Sequence, residues 1–305
     1  MNIIEKALEK AKIENSVWDL DPINQTDNLA DLTFHEEEPV SLVRDSEHVS
    51  IKADKEKIVE KKSKSRITRI NWELLKKNGF LTREDAHTQK AEEYRIIKRP
   101  LIDNATGKGK KNVHKSNLIL VTSSLPGEGK TYSAINLAIS TSTEMNKQVL
   151  LIDADVARPS IARYLGIKEG VGLIDYLENE QTDFSDIIME TDIPNLRIIC
   201  AGKQHRHSTE LLASNRMVQL SDELSQRYPD RIVIFDTPPL LVASQTHVLV
   251  NLVGQVVLVI EAEKTLRSSV MEAAEKLNRC EIVLALLNKD KASTNNVYGS
   301  RQHVH

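Results

Sequence analysis

The sequence predicts an α/β protein: a mainly parallel central sheet between two helical layers, preceded by a largely disordered N-terminal segment. Three observations carry that prediction. Six apolar runs rich in β-formers recur along the chain: "NLILVTS", "QVLLIDAD", "LRIIC", "RIVIFD", "QVVLVIEA" and "IVLALLNK". They are continuous rather than alternating, as strands buried on both faces are. Stretches with helical patterning separate most of them, which is the rhythm of parallel strands joined by helical crossovers.

Bulk properties limit what such a chain does. Its 305 residues suffice for one large domain of ~200 residues plus extra material. The net charge of −3 gives no basic excess that would argue for nucleic acid. Cys200 and Cys280 each lie in or beside an apolar run and read as reduced, buried thiols. No apolar stretch reaches the ~18 to 20 residues that span a bilayer, and the N-terminus lacks a secretory h-region. The expectation is a soluble, cytoplasmic protein that meets a membrane only through a partner.

In chain order, residues 1–16 predict a short amphipathic helix, because Ile3, Ile4, Ala7, Leu8 and Ala11 fall on one face. Residues 17–69 mix runs such as "HEEEP" and "DKEKIVEKKSKSR" with few aromatics and read as a flexible charged linker. Residues 70–289 form the domain. Its first helix, "AEEYRIIKRPLI", is expected to end near Pro100. A basic loop, "GKGKKNVHKS", leads into the first strong strand. Ligands of parallel sheets sit beyond the carboxyl ends of the strands, where Thr122, Asp153, Asp236 and Asn288 should collect.

The chemistry is written at that edge. "TSSLPGEGKTYS", residues 122–133, follows a strand and opens a helix, as a phosphate-binding loop requires. Its backbone N–H groups and the helix N-terminus favour phosphate. Gly127 and Gly129 allow close approach, Lys130 supplies a point charge, and Thr131 offers a hydroxyl to Mg²⁺. Pro126, Glu128 and Tyr132 complete the expected nucleotide-binding set. The strict motif begins with glycine where this chain has Ser124. "VLLIDADVARPS" places Asp153 and Asp155 at a strand end, suited to Mg²⁺ directly or through water or to accepting a proton; Asp155 also suits a turn cap. In "IVIFDTPPLL", Asp236 ends a buried strand and suits a metal-site carboxylate. The implied ligands are a nucleotide and Mg²⁺, and the implied fold is the three-layer P-loop NTPase type.

With these motifs the chain resembles a bacterial protein-tyrosine kinase of the capsule and exopolysaccharide class, over about residues 90–290. "SSLPGEGKT", "LLIDADVARPS" and "IVIFDTPPLL" match the family's Walker A, A′ and B segments, and "TELLAS" and "VVLVIEAEKT" are similar to further family segments. The wording "DADVARPS" and "RYPDRIVIFD" is most similar to the exosortase-linked tyrosine autokinases. The resemblance implies that Lys130 and Thr131 hold phosphate and Mg²⁺. Asp153 and Asp155 would hold the metal and help activate the acceptor tyrosine, and Asp236 would complete the metal site. It implies that Glu92, Arg95 and Lys98, in "EEYRIIK", lie on a helix that packs on a neighbouring subunit in a ring. Lysine replaces the family's last arginine there. Asn288 falls where related proteins recognise the base, and Arg158 is a candidate for phosphate or interface contact. A membrane chain-length protein is the implied activator.

The family ends in a tyrosine cluster phosphorylated in trans, whereas residues 290–305 hold only Tyr298, here the expected acceptor. The other tyrosines (94, 132, 164, 176 and 228) fall in or beside predicted elements and read as structural. His205 and His207 flank Arg206 in an expected exposed loop without the further ligands of a metal site. The expected function is an ATP-dependent tyrosine autokinase regulating exopolysaccharide polymerisation and export. Two other readings stand beside it. One is a non-catalytic ATP-binding scaffold of the export system. The other is a positioning ATPase, which would carry a second lysine where this chain has Leu125.

Overall fold

All six apolar runs become strands of one sheet. The computed structural model describes residues 67–109, 113–226 and 230–290. The expected helix at 1–16, most of the linker, Tyr228 and Tyr298 lie outside the described residues. The strands are β1 (Leu118–Ser123), β2 (Gln148–Asp153), β3 (Met189–Glu190), β4 (Leu196–Ile199), β5 (Arg231–Asp236), β6 (Gln255–Glu261) and β7 (Ile282–Asn288). Their order is β3-β4-β2-β5-β1-β6-β7. Every pairing is parallel except β3 with β4. β3 was not expected; two residues long, it is too short to leave a pattern.

Continuous apolar sequence serves both faces because alternate side chains point opposite ways. Leu118, Leu120, Leu150, Ile152, Val233 and Phe235 face one layer. That layer includes α4 (Asn215–Gln226), α5 (Ser244–Val250) and α6 (Arg267–Lys276). Ile119, Val121, Val149, Leu151, Ile232 and Ile234 face the other. There α1 (Trp72–Lys77), α2 (Gln89–Ala105) and α3 (Lys130–Ser142) pack. Among the described residues no helix is long and apolar enough to cross a membrane.

The N-terminal side of the domain is more ordered than its sequence suggests. Thr68, within the expected linker, donates its N–H to Glu190 O at 2.8 Å, and Ile70 is buried. Helix α2 does not end near Pro100 but runs on to Ala105. A proline inside a helix forfeits one hydrogen bond and costs ~3 kcal/mol. Contacts beyond it offset this: Leu101 is buried in the core, and the buried Gln255 of β6 donates to Leu101 O at 3.0 Å. Asn104 in turn donates to Gln255 Oε1 at 3.0 Å. The helix is thus pinned to the sheet on the far side of its weak point.

Candidate functional site

The phosphate loop is shaped by two glycines. Gly127 has φ +88° and Gly129 +99°, a left-handed region that residues with a Cβ rarely enter. Gly129 caps α3, which starts at Lys130, so the first turn of a buried helix points its free N–H groups into the loop. Ser124, in place of the motif's first glycine, is buried and accepts Leu241 N–H at 3.3 Å through its carbonyl.

Strand register assembles the carboxylates. Asp153 of β2 lies beside Asp236 of β5, and β5 lies beside β1, which leads into the loop. Asp155 follows β2 by two residues, and its Oδ2 pairs with Lys130 Nζ at 2.7 Å. Its Oδ1 accepts Arg158 N–H at 3.1 Å, so the turn-capping role and the ionic role coexist in one side chain. Asp153 Oδ2 accepts the N–H groups of Ser160 and Ile161 at 2.9 and 3.0 Å, while its Oδ1 is buried without a partner. Asp236 is fully buried. It faces Thr131 and Lys130, yet neither of its oxygens closes a hydrogen bond.

These environments set the charges. Burial pushes Asp236 up to about 7, with repulsion from Asp153 adding and Lys130 opposing. Burial likewise pushes Asp153 up to about 6, against its two backbone donors. Burial also opposes the charge on Lys130, but Asp236, Asp155 and Asp153 together hold its ammonium above the ordinary value. Three buried unpaired carboxylate oxygens beside a threonine hydroxyl fit a divalent cation, because such groups are costly unless paired or bound to metal. Among the described residues no three His, Cys, Asp or Glu side chains converge on a common metal position. A cation here would therefore draw on Thr131, on phosphate oxygens and on water held by Asp153 and Asp236. That is the habit of Mg²⁺, which keeps waters and takes few protein ligands.

Several expected residues are brought to the site for other work. Tyr132 donates its hydroxyl to Gly79 O at 2.7 Å, and its ring packs 5.0 Å from Phe80, so its side chain belongs to the α3 core. Glu128 is buried; its Oε2 accepts Leu125 N–H at 2.8 Å and its Oε1 takes the Thr265 hydroxyl. Asn288, expected near the base, donates Nδ2 to Glu128 O at 2.8 Å. Pro126 and Gly127 are exposed on the loop, and the Arg158 side chain is exposed beyond β2.

The expected interface helix divides. Glu92 and Arg95 form an exposed ion pair at 2.6 Å. Lys98 departs from expectation: its side chain is 5% exposed and donates to Ser140 O at 2.6 Å. It also pairs with Glu144 at 2.8 Å, tying α2 to the end of α3, which leaves it turned away from any neighbour. His207 is exposed, and His205 lies 3.3 Å from Glu178. Cys200 and Cys280 are free thiols, both pushed up by burial, Cys200 to about 11. Sequence reasoning missed Ser160, Thr265 and Lys289. Ser160 closes the second motif without a metal- or phosphate-binding signature of its own, and Thr265 and Lys289 lie outside the three motifs and reach the loop from more than 130 residues away.

Comparison with known proteins places this geometry. Residues 116–290 match the AAA domain family model AAA_31. The chain is 32% identical over 211 residues to tyrosine-protein kinase YwqD of Bacillus subtilis, covering 68% of this chain and 85% of that protein. It is 30% identical over 170 residues to tyrosine-protein kinase CpsD of Streptococcus agalactiae, covering 54% of this chain and 70% of that one. It spans only 22% of the longer tyrosine-protein kinase ptk of Acinetobacter johnsonii, at 30% identity over 55% of this chain. The VpsO kinase domain superposes with a TM-score of 0.54 at 30% identity, over 68% of this chain and all of that one. The kinase domain of Escherichia coli ETK, at 23% identity and a TM-score of 0.56 over 78% of this chain and 96% of that one, shares the fold. Sequence, sheet and phosphate loop agree on one lineage, and the chain belongs to the bacterial tyrosine-protein kinase family.

Proposed function

We propose that this chain is a Mg·ATP-dependent protein-tyrosine autokinase serving exopolysaccharide polymerisation and export. The observation that carries the reading is the fully buried Asp236 carboxylate. It is unpaired and set between Asp153, Thr131 and Lys130. A buried charge without a partner is unfavourable unless a ligand completes it.

Lys130 is paired with Asp155. When phosphates occupy the loop, the Lys130 ammonium turns to them and the N–H groups of residues 127–131 surround them. That exchange releases Asp155 Oδ2, which then accepts the proton of an incoming tyrosine hydroxyl, a group with an ordinary pKa of ~10, as the tyrosine oxygen bonds the γ-phosphorus and the bond to the bridging oxygen breaks to release ADP. Asp153 Oδ1 is the second acceptor in reach of the same edge. Mg²⁺ held near Thr131 would neutralise charge developing on the transferred phosphoryl group. The chain's own contribution is positioning and electrostatics, with Tyr298 as acceptor. Oligomer contact is assigned to the Glu92–Arg95 face, and location at the membrane to an activating chain-length protein.

The test is phosphotyrosine on purified protein after incubation with Mg·ATP, mapped by mass spectrometry. Lys130→Ala should abolish it while circular dichroism stays native. Persistence of full phosphotyrosine in that variant would remove the phosphate-loop assignment. Binding of Mg·ATP by the natural sequence with no phosphotyrosine would instead support the scaffold reading.

A further inference from the structure

Two residues outside every phosphate-loop motif hold the loop's carbonyl groups. Lys289 Nζ donates to Gly127 O at 2.7 Å, and Asn288 Nδ2 donates to Glu128 O at 2.8 Å. In a trans peptide the C=O and N–H point in opposite directions. Drawing the Gly127 carbonyl toward Lys289 therefore aims the Glu128 N–H the other way. Drawing the Glu128 carbonyl toward Asn288 does the same for the Gly129 N–H. Successive N–H groups turned to one side make an anion-binding concavity.

The clamp is braced. Lys289 pairs with Glu261 at 3.1 Å, and Glu261 is the register partner of Asn288 across β6 and β7. Ala262 N–H donates to Asn288 O at 2.8 Å. Lys289 itself has φ +59°, a conformation that non-glycine residues keep only where surrounding contacts hold it. A Cβ on Gly129 would lie 2.0 Å from Asn288 Nδ2, so glycine there serves the clamp as well as the turn.

We propose that Asn288 and Lys289 are positioning residues that preset the Glu128 and Gly129 amides for the nucleotide's phosphates, so that Asn288 serves the phosphate loop and not the base. This rests on the reading that the loop holds Mg·ATP. The test uses the full chain with Lys289→Met, Asn288→Ala and the donor-preserving Lys289→Arg. In nucleotide-free, ¹⁵N-labelled protein, the Glu128 and Gly129 amide signals should move in the first two variants and return toward their original positions in Lys289→Arg. Calorimetric Kd for Mg·ATP should rise about tenfold in each of the first two, the scale of one lost hydrogen bond to a charged or buried group. KM for ATP should follow Kd with kcat nearly unchanged, as for binding shared by ground and transition states.

Unchanged amide signals and unchanged Kd, with the natural sequence binding Mg·ATP, would overturn the proposal alone. If the natural sequence failed to bind Mg·ATP, the kinase reading and this one would both fall. The amide signals would then still separate a set loop from an unset one. Lys289 is 46% exposed, so Lys289→Met leaves the core intact and decides the matter even if Asn288→Ala unfolds.

Discussion

Single residues in the site are placed against their own stability. Asp236, pushed up to about 7, binds protons in the folded state that an ordinary carboxyl of pKa ~4 would already have released. The native state is then the more protonated one, so this group lowers stability as pH rises from about 4 to 7. Asp236→Asn should therefore stabilise the ligand-free chain at pH 8 by on the order of 1–2 kcal/mol. It should gain little at pH 5 and should abolish phosphotyrosine. Melting curves of both chains at the two pH values check it, and parallel pH profiles would refute the burial argument. Gly129→Ala meets two obstacles, φ +99° and the Asn288 amide. It should cost about 1–3 kcal/mol and weaken Mg·ATP binding, as read by denaturant titration and calorimetry.

At the scale of elements, α2 shows why local rules misjudge a boundary. Its sequence points to a stop at Pro100, but Leu101 and Asn104 bind the next turn to β6. Pro100→Ala restores the missing N–H within a helix already held at both ends, and should raise stability by about 1 kcal/mol or more. A lowered melting temperature would mean that the proline supplies packing that alanine cannot. The same helix buries Lys98 against the end of α3. Lysine at that place is thus a tie within the chain, whereas Glu92 and Arg95 stay exposed on the same helix. The strands were legible because buried parallel strands need unbroken apolar runs; β3 and the inward turn of Lys98 were not, since neither leaves a periodic trace.

At the scale of the whole molecule, the tail carrying Tyr298 follows a residue that touches the phosphate loop, since Lys289 Nζ meets Gly127 O. Tyr298 lies nine positions further on, a length that spans at most ~30 Å when extended. Reach alone thus does not force transfer between subunits, so the proposed assembly is what the next experiment tests. Mixing catalytically dead Lys130→Ala chains with active Tyr298→Phe chains should place phosphate on the dead chains, at a rate that rises with protein concentration. Arg95→Glu, which sets like charges against Glu92, should reduce both the oligomer's mass in light scattering and that transfer. Phosphate on Tyr298 of the natural chain at a concentration-independent rate would instead show transfer within one chain.

The order of strands and helices, the phosphate loop and the acidic residues at the strand ends were written in the sequence, because periodicity and short motifs act over a few neighbouring residues. Tertiary structure alone decided that Asp153 and Asp236 lie side by side, that Lys130 rests on Asp155, and that Asn288, Lys289 and Thr265 shape the loop. Those contacts depend on strand register and on residues far apart in the chain. A buried charge or an aimed amide is a property of the surroundings that the fold brings to it, which no local pattern records.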